Sequence, residues 1–370
     1  MRKLASIQKI VDIQPISGAD FIEKATILGW EVVVAKKDNF KVGDLVVYFE
    51  IDSILPDKPE YEFLRSVKFR IKTRKFKKQV SQGLVLPLSI LPETNKYRGE
   101  GEDVSDLLQI KKFDPEGDKE EAVRQAQALN EKNKVRKFFM QYSWTRRVVD
   151  FFFPKERYNF PNWIHKTDED RIQLFPDICQ KYKGIIFTET EKADGQSLTT
   201  FVIKNNKKFL WFGEKYIFGV CSRNFRLKEN DSTWWKIAKK LNLKEKMIEY
   251  ADSFNLDTFV IQGEIIGPSI QGNKYKLDEL ELKVFNIFEN GVSRSQVIQS
   301  EICQELELDT VPVLNFNFTL GDAIPQCVDM AKGNSVLNKT VLREGIIIRN
   351  YEMGLSFKII NPDFLLKNEE

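Results

Sequence analysis

The sequence predicts an α+β protein with two domains in tandem, a small β domain followed by a larger domain of sheet and helix. Three features carry that prediction. Residues 1–112 break into short strand-like runs separated by turn residues. Residues 113–159 shift to a charged, Ala- and Gln-rich stretch and then to aromatic residues interleaved with cations. Residues 160–370 alternate apolar strand-like runs with helical ones. At 370 residues, 42% hydrophobic and 30% charged, the chain is long enough for two such cores.

In the first domain the strand-like runs fall at residues 5–10, 26–34, 45–51, 67–77 and 84–86. Pro15, Gly18, Asn39, Gly43-Asp44, Pro56, Pro59 and Gln82-Gly83 punctuate them. Five strands in about a hundred residues suit a small OB-type barrel. From Val67 to Arg74 apolar and basic residues alternate, so a strand there would turn Lys68, Arg70 and Lys72 to one face, and Arg74, Lys75, Lys77 and Lys78 would extend it. Such a row of cations is either a solvated edge or a phosphate-binding surface, and its density on this type of barrel favours nucleic acid.

Residues 119–137 read as a helix with a thin apolar stripe of Ala122, Gln125 and Leu129. Phe138, Phe139, Tyr142, Trp144 and Phe151 follow, among Arg136, Arg146, Arg147 and Lys155; this mixture reads as packing between domains rather than a base-stacking surface. Beyond it, residues 166–173 begin like a capped helix, with Thr167 as cap and Arg171 in the first turn. A helix is expected over 234–250, and strand-like runs over 259–268, 282–288, 343–349 and 355–360.

Composition excludes much chemistry. Cys179, Cys221, Cys303 and Cys327 are too far apart for a C-x-x-C site, and His165 is the only histidine. Structural zinc and histidine-based triads therefore fall away, and catalysis must rest on Lys, Arg, Asp and Glu. The net charge of +3 leaves any preference for nucleic acid to local patches. No apolar run reaches membrane length and the first nine residues lack the apolar core of a secretory signal, so an intracellular protein without a membrane partner is expected.

The stretch GIIFTETEKADGQS, residues 184–197, organises the second domain. Ile185, Ile186 and Phe187 read as a buried strand, Thr188 to Glu191 carry it outward, and Lys192-Ala193-Asp194-Gly195 turns at its end. An amine placed there and shielded from water loses its proton more readily than a solvated one, and a neutral amine attacks phosphorus. K-x-D-G alone is weak evidence, and by itself it reads first as a surface turn. Three acids stand beside glycine next to apolar strand sequence: Asp194-Gly195, Gly263-Glu264 and Glu344-Gly345. With Arg171, Arg223 and Lys358 they form a set in which carboxylates can hold a hydrated divalent cation while cations hold phosphates. Phosphoryl and nucleotidyl transfer need that division of labour.

In order, E-K-A-D-G, S-R-N, Q-G-E-I-I-G-P, V-F-N-I-F, R-E-G-I-I-I-R and S-F-K-I-I resemble the nucleotidyltransferase motifs of the ATP-dependent RNA ligases. The likeness is to the 3′-OH/5′-PO₄ ligases of the Deinococcus and Naegleria type, and it implies an OB domain at 1–112, a connector at 113–159 and an antiparallel-sheet nucleotidyltransferase domain at 160–370. It implies that Lys192 takes AMP from ATP as a lysyl-AMP adduct and passes it to an RNA 5′-phosphate, which a 3′-OH then attacks. Asp194, Glu264 and Glu344 would hold, through water, a Mg²⁺ or Mn²⁺ ion. Arg171, Glu191, Arg223 and Lys358 would contact the nucleotide, and Phe285, or failing it Phe288, would stack on adenine. The RNA partner would be a nicked duplex with 3′-OH and 5′-phosphate ends, sealed by a monomer, with Lys68, Arg70, Lys72 and Arg74 as its contacts. Two positions depart from the family pattern: Asn286 replaces Asp, and Ile360 replaces the second lysine of K-x-K. DNA ligases and capping enzymes place their OB domain after the transferase domain, and only twelve residues follow Lys358 here. The other reading is an inactive transferase fold that only binds nucleic acid.

Overall fold

The structure, a computed structural model, describes residues 3–92, 99–114, 159–166, 168–205 and 214–368. The helix expected over 119–137, the aromatic run after it and the capping residue Thr167 lie outside these residues. The chain forms two compact units: residues 1–113, 169–193 and 312–370 make the first, and residues 114–168 and 194–311 the second. The chain passes from first to second after Phe113 and again after Ala193, and returns after Asp168 and after Val311.

In the first unit the amino-terminal strands form an antiparallel sheet in the order Trp30–Ala35, Ile22–Ile27, Ala5–Pro15, Leu45–Phe49, Leu84–Pro87. Alternation drives burial, with Trp30, Val32 and Val34 inward in a cluster that includes Ile10, Val46, Tyr48 and Val85. The run expected as one strand over 26–34 is instead a hairpin, because Leu28 adopts a left-handed conformation (φ 53°) and reverses the chain at Gly29.

The alternating basic run over 67–74 is not one strand. A 3₁₀ helix covers Pro59–Val67, and Lys68 and Phe69 close it with φ 53° and 58°. Tyr61 and Ile71 feed the barrel core, so the apolar residues of this run are anchors of a helix and a turn. Only Thr73–Phe76 is strand, paired with Gln79–Gln82 in a tight hairpin.

The same unit holds a second sheet, ordered Asp170–Arg171, Leu355–Ile360, Gly345–Asn350, Phe187–Lys192, Val313–Phe318. Its first pair is parallel and the others antiparallel. Phe187, Ile346, Ile348, Phe357 and Ile359 pack on Ile172, Ile178, Ile324 and Cys327 behind it. Ile360 is buried with Ala5, Ile7, Val47 and Phe49, so apolar packing explains the residue that replaces a lysine there.

The second unit is a sheet with the core order Tyr216–Cys221, Gln196–Lys204, Thr258–Ile266, Glu281–Glu289. Leu198, Val202, Val220, Ile261, Ile265, Val284 and Ile287 face helices that contribute Ile237, Met247, Tyr250 and Ile302. The helix expected over 234–250 is two, Thr233–Lys240 and Leu243–Ser253, broken where Asn242 turns left-handed (φ 51°). No helix among the described residues is long and apolar enough to cross a membrane.

Candidate active site

In antiparallel pairs, directly opposed residues share a face, so strand register tells which side chains gather. Thr190, Ile347, Lys358 and Arg171 align across four strands of the first unit. The neighbouring row on that face is Lys192, Gly345 and Ile360, and the row on the other side holds Thr188, Arg349 and Ser356. Lys192, Lys358 and Arg171 therefore rise from one face of one sheet. The opposite face is the apolar core.

Lys192 is the last residue of its strand and is 28% exposed. Its Nζ donates to the Glu344 carboxylate at 2.6 Å. Glycine at 345 is required by packing, since a Cβ there would come within 2.3 Å of the Ile359 carbonyl oxygen. The nucleophile candidate and one expected metal acid are thus brought together.

Arg171 is not in the first turn of a helix, because Asp170–Arg171 pairs as a strand with Phe357–Lys358. It is 8% exposed, with its guanidinium 3.9 Å from the Asp52 carboxylate and 5.7 Å from the Trp30 ring. Alongside, Arg349 donates to the Glu169 carboxylate at 2.6 Å, and both are largely buried. Burial alone would raise the Glu169 carboxyl, but the Arg349 charge, with help from Lys358, leaves it below the ordinary carboxylate range.

Glu191 points away from the Lys192 face. Its carboxylate accepts from Ser335 Oγ and, at 2.7 Å, from the Val336 N–H. Burial pushes this acid up, and those two hydrogen bonds and Arg343 offset it only in part. The side chain counted among nucleotide contacts is here a buried anchor for residues 335–336.

The second unit supplies the other expected residues. Gly195 N–H donates to Glu264 Oε1 at 3.1 Å, and a Cβ at Gly195 would lie 2.2 Å from the Ile265 carbonyl oxygen. That close approach needs glycine and brings Asp194 and Glu264 to one turn. Asp194 pairs with Lys274, and its N–H donates to Tyr275 Oη at 2.8 Å. Arg223 bonds Asp168 at 3.2 Å. Burial acts to lower its pKa, but the charges of Asp168, Asp114 and Glu264 outweigh that and raise it.

Phe285 and Phe288 separate cleanly. Val284 pairs with Gly263 and Asn286 with Gln262, so Phe285 is the extra residue of a bulge; it is half-buried. Alternation from core-facing Val284 turns it to the side that carries Glu264. Bulges re-aim side chains and gather next to active sites. Phe288 is buried with Ile164, Phe201 and Val260.

Of the barrel cations, Arg70 is committed elsewhere: it bonds Asp52 at 2.7 Å and stacks 3.6 Å over the Phe113 ring. Lys72 is half-buried, while Lys68 and Arg74 are exposed.

Sequence reasoning missed Lys274, Tyr275, Arg349 and Glu169. Only geometry finds the first two, because they reach Asp194 across eighty residues of chain. As for a metal, Asp194, Glu264 and Glu344 offer oxygen donors only, which suits a hard divalent cation that keeps its water. Among the described residues no three His, Cys, Asp or Glu side chains form a direct coordination cluster.

Family models match the chain in two places, an OB-fold domain over residues 4–88 and RNA ligase over residues 185–360. Among solved structures, Naegleria gruberi RNA ligase with PPi is similar at 30% identity and a TM-score of 0.78, covering 100% of this chain and 99% of its own. A lysine-to-alanine variant of that enzyme with ATP and Mn matches at 30% identity and TM-score 0.77, over 99% of both chains. A lysine-to-methionine variant with AMP and Mn matches to the same extent. No curated protein matches the chain.

Proposed function

The chain belongs to the RNA ligase family, and from that membership we propose that it uses ATP to join an RNA 3′-OH to a 5′-phosphate through an AMP carried on Lys192. The observation that carries the proposal is Lys192 at a strand end, 2.6 Å from Glu344 and on the sheet face that bears Lys358 and Arg171.

In the first step Nζ of Lys192 bonds the α-phosphorus of ATP, the bond from that phosphorus to the bridging oxygen breaks, and pyrophosphate leaves. The attacking amine must first shed a proton, and the Glu344 carboxylate is within hydrogen-bonding distance to receive it. Lys358 supplies positive charge for the α-phosphate and Arg171 for the outer phosphates. Phe285 stacks on adenine, and Arg223 holds the ribose or a substrate phosphate. A divalent cation, Mg²⁺ or Mn²⁺, with Asp194, Glu264 and Glu344 as its holders, would neutralise phosphate charge. In the later steps AMP passes to the RNA 5′-phosphate, and the 3′-OH displaces it. The substrate in this reading is a nicked RNA duplex, residues 1–112 are the RNA-binding domain, and the enzyme works as a monomer.

The test is incubation with α-labelled ATP and a divalent ion, then a nicked RNA duplex. The protein should acquire a covalent label with the stability of a phosphorus–nitrogen bond, lost in hot acid and kept in alkali, release it as AMP when RNA is added, and seal the nick. Lys192→Ala should abolish labelling, and so should Lys192→Arg, whose guanidinium stays protonated. Labelling retained in either variant would sink the assignment. A nick with DNA at its 3′-OH end should seal poorly if the 2′-hydroxyl is read. Equal rates would remove the RNA preference.

A further inference from the structure

The segment after the Glu264 strand has an unusual backbone. Ser269, Gln271, Asn273 and Lys276 all have positive φ, and so does Gly272. Residues other than glycine rarely adopt that conformation, and such strain concentrates where function needs it. Asn273 clasps the loop, its side chain donating to the Leu277 carbonyl at 2.9 Å and accepting from the Leu277 N–H at 3.1 Å. The buried residues Ile270 and Tyr275 anchor it. The loop sends two consecutive side chains to a single residue: Tyr275 Oη takes the Asp194 N–H, and the Lys274 ammonium takes the Asp194 carboxylate. Neither member of the pair is at the open surface, with Lys274 26% and Asp194 17% exposed. An ordinary surface ion pair contributes little and gives no reason for so strained a loop.

We propose that Lys274 is a resident cation: it holds the Asp194 carboxylate in the metal-free enzyme and must yield it before a divalent ion can take that acid. The inference rests on the reading above that Asp194 belongs to the metal-holding set. An ammonium and a hydrated divalent ion compete for the same carboxylate oxygens and repel each other. At a separation of about 5 Å, even in a water-like dielectric, that repulsion weakens metal binding on the order of tenfold. Nucleotide phosphates arriving with the metal offset the added charge, so Lys274 disfavours loading of metal without ATP. Tyr275 is a positioning residue that keeps the Asp194 backbone in place while its side chain changes partner.

The experiment is a titration of the full chain with Mn²⁺ in the absence of nucleotide, following the paramagnetic resonance signal of free Mn²⁺. Lys274→Gln and Lys274→Ala should each bind one Mn²⁺ about tenfold more tightly than the parent, while Lys274→Arg should match the parent. Adding Asp194→Asn to Lys274→Gln should remove the gain. Parent and both neutral variants agreeing within about twofold would overturn the proposal, as would a gain that survives Asp194→Asn. Labelling with ATP is run beside it. A protein that takes no label refutes the proposed function and leaves the Mn²⁺ result to decide Lys274 on its own; normal labelling with no change in Mn²⁺ binding removes the Lys274 inference alone.

Discussion

The hairpin Thr73–Phe76/Gln79–Gln82 is joined by a two-residue turn, Lys77-Lys78, with φ of 49° and 72°. Both turn positions are left-handed, the geometry of a type I′ turn that Asn-Gly adopts without strain. Two lysines there cost on the order of 1 kcal/mol each. Arg74, Lys75, Lys77 and Lys78 are all exposed, as is Phe76 at 41%, and among the described residues none of the four cations makes an ion pair. Replacing Lys77-Lys78 by Asn-Gly therefore removes two charges and relieves strain together. After the entropic cost of glycine, the folded state should gain roughly 0–1.5 kcal/mol, so Tm should hold or rise by a few degrees. If both lysines meet duplex phosphates, the slope of log binding constant against log salt should shrink by about 1.8. Fluorescence anisotropy of a labelled nicked RNA duplex across a salt series reads the slope, and calorimetry reads Tm. Self-adenylylation should not change. An unchanged slope would show that these lysines are a solvated edge, and a fall in Tm would show that the turn is not strained as argued.

Phe285→Ala should raise the KM for ATP with little loss of stability, whereas Phe288→Ala should cost about 3–5 kcal/mol in chemical unfolding, because only Phe288 is fully packed. The reverse pattern would exchange their roles. Gly195→Ala puts a methyl 2.2 Å from the Ile265 carbonyl oxygen; adenylylation should fall about 100-fold, since displacement by about an ångström is that costly, and near-normal labelling would show that the turn can relax. Glu169→Gln breaks a buried pair and should cost about 3–5 kcal/mol at neutral pH. The folded carboxyl of Glu169 lies below its ordinary 4.5, so its contribution is complete above that pH and fades as pH drops through the folded value. Denaturant melts of parent and variant should therefore converge under acid, and a constant gap would contradict the assignment.

Much of the site was legible because the expected residues lie next to glycines or at strand ends, where local sequence dictates what can approach. Gly195, Gly263 and Gly345 each stand where a Cβ would strike a neighbouring strand, and each carries an acid beside it. The barrel strands were legible from alternation, as at Trp30, Val32 and Val34. The basic run at 67–74 misled because period-two alternation also arises when the end of a 3₁₀ helix, a left-handed turn and a strand start fall in line. Arg171 misled for a related reason: residues 170–171 form a strand by pairing with residues 357–358, a partner nearly two hundred positions away. A separation of eighty positions from Asp194 likewise hid Lys274 and Tyr275 from any local pattern. Glu191 shows a further limit, since its neighbour Lys192 is on one face of the sheet and alternation sends Glu191 to the other.

The central claim is tested most directly by mapping the label. Protein incubated with α-labelled ATP and Mg²⁺ is digested, and the modified peptide is sequenced by tandem mass spectrometry. AMP on Lys192 alone, chased off by nicked RNA with 5′-phosphate ends, is the result expected; AMP on another side chain, or no covalent AMP in a protein that nonetheless seals RNA, would contradict it.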